Sequence, residues 1–488
     1  MLLNRLPLSK LLGMGRRRRQ LPRYDGITIH GLSSEGFGVA RHNDKVVFVE
    51  DAVPGDQGDV QVTKRKRRFD QAQFIRRDQT GTGRVTAQCE HQAVCGGCRW
   101  MIADYSLQLS EKQSIVENAF KRIGHLEHPP IEPILGAKGL FNYRNKIEFT
   151  FGARRWLTNE EVQSSADFDR DALGFHPRGR FQNVVQVDEC HLVNNSINVL
   201  RNSLYKKAKH AGWSFFDPLE HTGLLRQLCI RVGQDADGNP LLMVILVTSP
   251  PTEGFLEEIV QFLGGLKLDT AISLYHIESD KKNDSWTDLK ADHLLGPESF
   301  FIALGDKRFQ IKPQSFFQTN TEQAVALYDV VKKFAHLTGK EHVFDLYCGV
   351  GSIGLYLSDE CAKITGIELI PEAIEDAAHN AELNGVNHAE YHTGDVGAFI
   401  NSNHFSEENK PDLIITDPPR SGMHQEVAER LRDSSIERIV YVSCNPSTQA
   451  RDLAILCERY DIEAVQPVDM FPQTPHIECV VALTLKKS

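Results

Sequence analysis

His342-Val343-Phe344-Asp345-Leu346-Tyr347-Cys348-Gly349-Val350-Gly351 is the stretch on which the fold turns. Its opening apolar residues predict a short buried strand ending at Asp345, and a helix is expected from Ser352. Gly349 and Gly351 let the backbone turn tightly and come close to a ligand at that helix's start. Together with Gly354 they also spell G-x-G-x-x-G, a dinucleotide pattern that is weak on its own. The acidic residue four positions before the first glycine points elsewhere, to a ligand with a cationic group and no phosphate to cradle.

Working outward, four more strands end on chemically useful side chains. Ile364–Ile367 leads to Glu368, placed to accept two ribose hydroxyls. Tyr391–Gly394 leads to Asp395, suited to an adenine amino group. Leu413–Thr416 ends at Asp417, and Ile439–Ser443 ends at Cys444. Strands alternate with helices from about residue 306, which predicts an α/β, doubly wound, Rossmann-like domain over 306–488. Each terminal residue alone reads as a helix cap or loop residue. Five of them on the edge where open α/β sheets bind ligands read as a site. A carboxylate for an ammonium and another for a ribose suit S-adenosylmethionine.

Asp417-Pro418-Pro419-Arg420 resembles the (D/N)PP(Y/F) loop of amino-methyltransferases, but Arg420 replaces the aromatic that would stack on a target base. A different methyl acceptor is indicated. C5 of uracil is a poor nucleophile until a thiolate adds at C6, and a base must later remove the C5 proton. Cys444, in Ser443-Cys444-Asn445-Pro446, is the candidate nucleophile, and the helix expected just after it should lower its pKa. Glu478, near the start of a C-terminal strand, is the candidate base.

The rest of the chain is read from charge and spacing. The 488 residues carry a net −10, yet residues 1–88 hold 17 Lys/Arg against 9 Asp/Glu. A basic head on an acidic body suits a polyanion. Residues 1–22 are expected to be a flexible arm containing Arg16–Arg19. Short strands over 23–82 predict a small OB-type β-barrel, with the run Lys64-Arg65-Lys66-Arg67-Arg68 just after one of them as an RNA contact. Residues 83–305 are expected to form a mixed, mainly β central domain with strands near 145–151, 184–188, 227–232 and 240–248. A helix is predicted over 105–123, with Leu107, Leu109, Ile115, Val116, Ala119 and Phe120 as its apolar stripe. No membrane-spanning run is present, and a cytoplasmic protein is expected. Cys89-x5-Cys95-x2-Cys98 has metal-type spacing, with Cys190 the best fourth ligand; zinc is the default for four cysteines.

These strings together resemble the RNA uracil-5-methyltransferase family, specifically its ribosomal-RNA members, from about residue 23 onward. Asp345–Gly351, Asp417–Arg420, Ser443–Pro446, His476-Ile477-Glu478 and Pro313-Gln314-Ser315-Phe316-Phe317-Gln318-Thr319-Asn320 carry the likeness. The resemblance implies that Gln318, Asp345, Tyr347, Gly349, Gly351, Ser352, Glu368, Asp395 and Asp417 line the S-adenosylmethionine site, Ser352 standing where relatives often have asparagine. It implies Cys444 as nucleophile, Glu478 as base, a TRAM domain for the barrel, and packing of 101–133 on the catalytic domain. A [4Fe-4S] cluster on Cys89, Cys95, Cys98 and Cys190 follows in place of zinc, with 23S ribosomal RNA as partner and a monomeric enzyme. Two alternatives are a transfer-RNA uracil-5-methyltransferase, whose members typically lack the barrel and cysteine cluster, and a non-catalytic RNA-binding or assembly protein.

Overall fold

The computed structural model describes residues 21–164, 166–402 and 409–487, so the Arg16–Arg19 arm lies outside the described residues. The chain divides into two compact units, one essentially residues 21–84 and the other the remainder.

In the first unit, β1 (Arg23–Thr28), β2 (Gly31–Leu32), β3 (Gly38–His42), β4 (Lys45–Glu50), β5 (Gln57–Arg65) and β6 (Phe69–Gln79) form one sheet in the order β1-β5-β6-β4-β3-β2. β1 and β2 are nearly continuous, and they pair β5 at one end and β3 at the other. That double pairing closes the sheet into a barrel, which removes its open edges. Ile27, Ile29, Ala40, Val47, Val49, Val60 and Ala72 alternate inward and fill it. Its buried carboxylates are matched internally: Asp70 with Lys45, Asp56 with Arg84, Asp59 with Arg23 and Arg76. Lys64 to Arg68 form the end of β5 and the turn into β6, and all five are exposed.

The second unit opens with the cysteine loop and α1 (Tyr105–Arg122), capped by Asp104. β7 (Lys146–Gly152), α2 (Asn159–Gln163), β8 (Ala172–Phe175), β9 (Val185–Gln186), α3 (Asn195–Ala211), β10 (Leu225–Gln234), β11 (Pro240–Thr248), α4 (Phe255–Gly264), β12 (Ala271–Glu278) and β13 (Asp292–Leu295) follow. Their strands make a sheet in the order β13-β12-β11-β10-β7-β8-β9, to which β14 (Phe301–Leu304) and β15 (Lys307–Gln310) add a hairpin.

After α5 (Thr321–Ala335) comes a seven-stranded sheet. Its elements are β16 (His342–Leu346), α6 (Ser352–Tyr356), β17 (Lys363–Glu368), α7 (Pro371–Leu383), β18 (Ala389–Thr393), α8 (Val396–Ile400), β19 (Leu413–Thr416), α9 (Gln425–Asp433), β20 (Arg438–Ser443), α10 (Pro446–Leu456), β21 (Tyr460–Val468) and β22 (Glu478–Leu485). The order is β18-β17-β16-β19-β20-β22-β21; β16 to β20 are parallel and β22 is antiparallel. Successive side chains feed opposite faces: Val343, Leu413 and Val440 pack toward α5 and the central sheet, Phe344, Ile414 and Ile439 toward α1 and α10. Burial on both faces explains why these strands read as continuous apolar runs.

The stripe predicted for α1 needs correction. Its buried face is Gln108, Lys112, Val116, Ala119 and Phe120, while Leu107, Leu109 and Ile115 are only partly covered. Two polar residues occupy core positions because the C-terminal domain supplies their partners.

Candidate active site

The sheet order reverses between β16 and β19, where neighbouring connections leave in opposite directions and open a crevice at the strands' C-terminal ends. Tyr347 and Asp417 follow the paired residues Leu346 and Thr416 and flank this crevice. Of the candidate cofactor residues, Asp345, Tyr347, Gly349, Gly351, Ser352, Glu368 and Asp395 fall on the β16–β18 side, Asp417 follows β19 and Gln318 precedes α5, while Cys444 and Glu478 lie at the ends of β20 and β22.

On the first side, Tyr347, Gly349 and Gly351 all have positive φ, at 64°, 54° and 77°. A Cβ at Gly351 would meet the Tyr391 hydroxyl at 2.9 Å, whereas one at Gly349 would meet nothing within 4 Å, which leaves open space above the turn. Tyr347, a bulky residue in the left-handed region, is a strained position fixed by its surroundings. Asp345 is 1% exposed. Its Oδ2 accepts from Gly354 N at 2.9 Å, and its Oδ1 has no hydrogen-bond partner among the described residues. Burial pushes its pKa up to about 7, with the nearby charge of Glu368 adding to the rise. Glu368 accepts from Gly349 N at 3.2 Å and from Leu369 N at 2.8 Å, bracing the glycine turn from the next strand. Ser352 Oγ shares a 2.8 Å hydrogen bond with the buried Tyr328 hydroxyl of α5. Asp395 is exposed and caps α8 through Ala398 N at 2.9 Å.

Gln318 ends a loop that the sequence marked by motif alone. Arg231, buried on β10, donates to the carbonyls of Pro313 and Ser315. Ser315 Oγ donates to Asp376 on α7 at 2.7 Å, and Asn145 Nδ2 donates to the Gln318 carbonyl at 2.9 Å. Arg231 and Asn145 gave no signal of this role, since their partners lie some 80 and 170 residues away in sequence.

Across the crevice, the β20–β22 register pairs Ser443 with Cys479. Cys444 is the residue after Ser443 and Glu478 the residue before Cys479, so the register brings the two to adjoining strand ends, and the charge of Glu478 is felt at the Cys444 thiol. Glu478 is 5% exposed, and burial followed by the charge of Asp417 raises its pKa well above the usual carboxylate range. Asp417 is itself pushed up to about 7 by burial and by Asp345. The expected lowering of the Cys444 thiol is not what the structure gives. α10 begins at Pro446, but burial, then Glu478 and Asp417, push the thiol up to about 12, against the smaller opposing pull of Arg420 and a backbone hydrogen bond. Burial thus favours the protonated thiol and carboxyl, and an incoming cation would favour the ionised forms.

Two loops hold these groups. Gly422 (φ 76°) lets the loop from Asp417 press against α10, where a Cβ would lie 2.6 Å from Arg451 Nη2 and 2.7 Å from Asp452 Oδ2. Asn445 Nδ2 donates to the Arg420 carbonyl at 3.0 Å, and Arg420 Nη2 sits 3.2 Å from His476 Nδ1. The loop from Asp469 to Ile477 is tied to the segment around α1. Lys112 and Asp469, both fully buried, pair at 2.5 Å; Tyr105 Oη donates to Asp469 Oδ2 at 2.9 Å; Gln108 and Gln473 exchange two hydrogen bonds at 2.9 and 3.0 Å.

Cys89, Cys95, Cys98 and Cys190 line one cavity of about 590 Å³ together with Arg144, His176, Arg178 and His476. Their thiols lie within electrostatic reach of one another, and burial raises all four, Cys95 to about 11. Among the described residues no group of three or more His, Cys, Asp or Glu side chains is placed to hold a metal ion.

Comparison with known proteins places these features. Residues 298–486 match the tRNA (Uracil-5-)-methyltransferase family and residues 26–75 the TRAM domain. An RNA methyltransferase of Bacteroides thetaiotaomicron is 41% identical over 459 residues, covering 93% of this chain and all of the relative. One from Porphyromonas gingivalis is 39% identical over 93% of this chain and 98% of its own. The crystal structure of Pyrococcus abyssi tRNA (uracil-54, C5)-methyltransferase in complex with S-adenosyl-L-homocysteine superposes with a TM-score of 0.71 at 27% identity, over 94% of this chain and 100% of that one.

Proposed function

This chain belongs to the RNA uracil-5-methyltransferase family, and from that premise we propose that Cys444 and Glu478 carry out covalent C5 methylation of a specific uridine in 23S ribosomal RNA. The β20–β22 register, which brings Cys444 and Glu478 to adjoining strand ends, is the observation that supports the mechanism. S-adenosylmethionine bound above the glycine turn supplies the methyl group. The residues there fit it: Gly349 leaves open space, and the buried Asp345 Oδ1 lacks a hydrogen-bond partner among the described residues. Gln318, Tyr347, Ser352, Glu368, Asp395 and Asp417 complete the proposed lining, Asp395 while also capping its helix.

Cys444 gives up its proton to solvent and its thiolate adds to C6 of the uracil, moving the ring electrons toward C5 and O4. C5 would then take the methyl group from S-adenosylmethionine, which would leave as S-adenosylhomocysteine. Glu478, ionised, then removes the C5 proton; the C5–C6 double bond re-forms and the thiolate leaves. Arg420 favours both ionisations by its charge. The test is a pair of variants. Cys444→Ala should abolish transfer yet bind cofactor normally. Glu478→Gln should trap a protein–RNA adduct that survives denaturing electrophoresis. Residual transfer in the first, or free product release in the second, removes the residue from its role.

We assign the four cysteines to a [4Fe-4S] cluster. A tetrahedral zinc site requires sulfurs about 3.8 Å apart, given Zn–S bonds near 2.3 Å. A cubane seats each thiolate on a different iron and suits four thiols ranged around a cavity.

A second reading, a transfer-RNA uridine, is favoured by the likeness to the Pyrococcus abyssi enzyme. An alignment reaching 94% of this chain takes in most of the barrel and cysteine loop, so these features alone do not separate the two substrates. A map of 5-methyluridine in ribosomal and transfer RNA, with and without the gene, decides.

A further inference from the structure

The nine residues joining β8 to β9 take no part in the chemistry above, yet they are built as a stiff display. At the root, Cys95 bridges Pro177 as a β-pair, and a Cβ on Gly96 would lie 3.0 Å from the His176 carbonyl. Arg180 N donates to the Pro177 carbonyl at 3.1 Å, Asn183 N to the Arg180 carbonyl at 3.2 Å, and Gly179 takes φ 67°. The Arg180 guanidinium lies over Trp156, 5.4 Å from its ring centre. At the tip stands Phe181, 71% exposed. The cavity lined by His176, Arg178 and Arg144 at this loop also reaches Thr474 and His476, just before Glu478.

We propose that this loop is a stacking platform for an unpaired nucleotide flanking the target uridine, with Phe181 under the base and Arg178 and Arg180 at its phosphates. The inference rests on the RNA methyltransferase reading. A lone exposed phenyl on a loop that also carries Arg178 and Arg180 is too small an apolar patch for a protein partner. It suits single-stranded RNA, because every base offers a π-face and every linkage a negative charge.

The probe is a short fluorescein-labelled single-stranded oligouridylate, read by anisotropy. Phe181→Ala should weaken its binding roughly ten- to hundred-fold, the range seen for loss of one base–aromatic stack. Phe181→Trp should keep it, and Phe181→Leu, similarly apolar but unable to stack, should behave like the alanine variant. Arg180→Gln should flatten the salt dependence. For methyl transfer to ribosomal RNA, KM should rise in Phe181→Ala while kcat and cofactor affinity hold. Unchanged binding in Phe181→Ala, or equal binding by the leucine and tryptophan variants, overturns the proposal. If wild-type protein methylates no RNA but the Phe181 series still orders as stated, the functional reading falls and the platform stands.

Discussion

Replacing Asp345 by Asn should make the free protein more stable at alkaline pH while weakening its hold on the cofactor. The carboxyl is buried, one oxygen is bonded to Gly354 N, the other has no partner among the described residues, and its pKa is about 7. The unfolded chain titrates this group near 4. Because the folded value is the higher one, the fold keeps a proton that the unfolded chain has lost. The resulting stability is fully present below about pH 4 and is gone once pH has risen through 7. The gap between the folded and unfolded values corresponds to roughly 4 kcal/mol. Asparagine can still accept from Gly354 N, but its amide N–H pair replaces the unpartnered oxygen at a cost of about 1–3 kcal/mol. The net expectation at pH 8 is therefore a gain of about 1–3 kcal/mol, shrinking to zero or reversing by pH 5. Chemical denaturation of the cofactor-free protein at both values, with a calorimetric titration of S-adenosylmethionine alongside, reads it. A variant whose stability relative to wild type is the same at pH 5 and pH 8 would refute the reasoning, as would undiminished cofactor affinity.

Lys112→Met should destabilise by about 3–5 kcal/mol, since it strands the buried Asp469 carboxylate; adding Asp469→Asn should recover part of the loss, measured by thermal melting of both variants. Neutralising Lys64 to Arg68 should weaken RNA binding and flatten its dependence on salt without moving the methylated position, because phosphate contacts supply affinity and register rather than base identity; an unchanged salt slope would mean that the run is merely solvated. Protein purified without oxygen should be brown with about four irons per chain, and Cys190→Ser should lose iron and stability together; a colourless sample holding stoichiometric zinc would contradict the assignment.

Where the fold was readable, burial explains why. Strands such as Val343–Leu346 and Ile439–Ser443 face apolar layers on both sides, so their composition announces them, and the residue after each is placed by the strand itself. Cys444 and Glu478 could be singled out by chemistry, but their lying at adjoining strand ends depends on β22 running against β20. The thiol's acidity was misjudged because helix position was visible and burial among carboxylates was not. Polar residues in core positions were equally opaque: Gln108 and Lys112 look like solvent-facing residues until Gln473 and Asp469 are set beside them. Arg231 and Asn145 belong to the same class, each serving a loop far along the chain.

The Lys112–Asp469 contact joins residues 357 positions apart. Closing so long a loop costs little extra free energy, since the penalty grows only with the logarithm of length, but such contacts form slowly. During folding the β16–β18 part of the crevice, made of sequence-local strand and helix pairs, can therefore mature before the seat of Glu478, while the loop bearing Gln318 waits for Arg231 and Asn145. A refolding chain would pass through a state that binds cofactor and cannot complete turnover. Followed in time, recovery of cofactor binding should run ahead of recovery of methyl transfer, and the lag measures the arrival of one helix from the far end of the molecule.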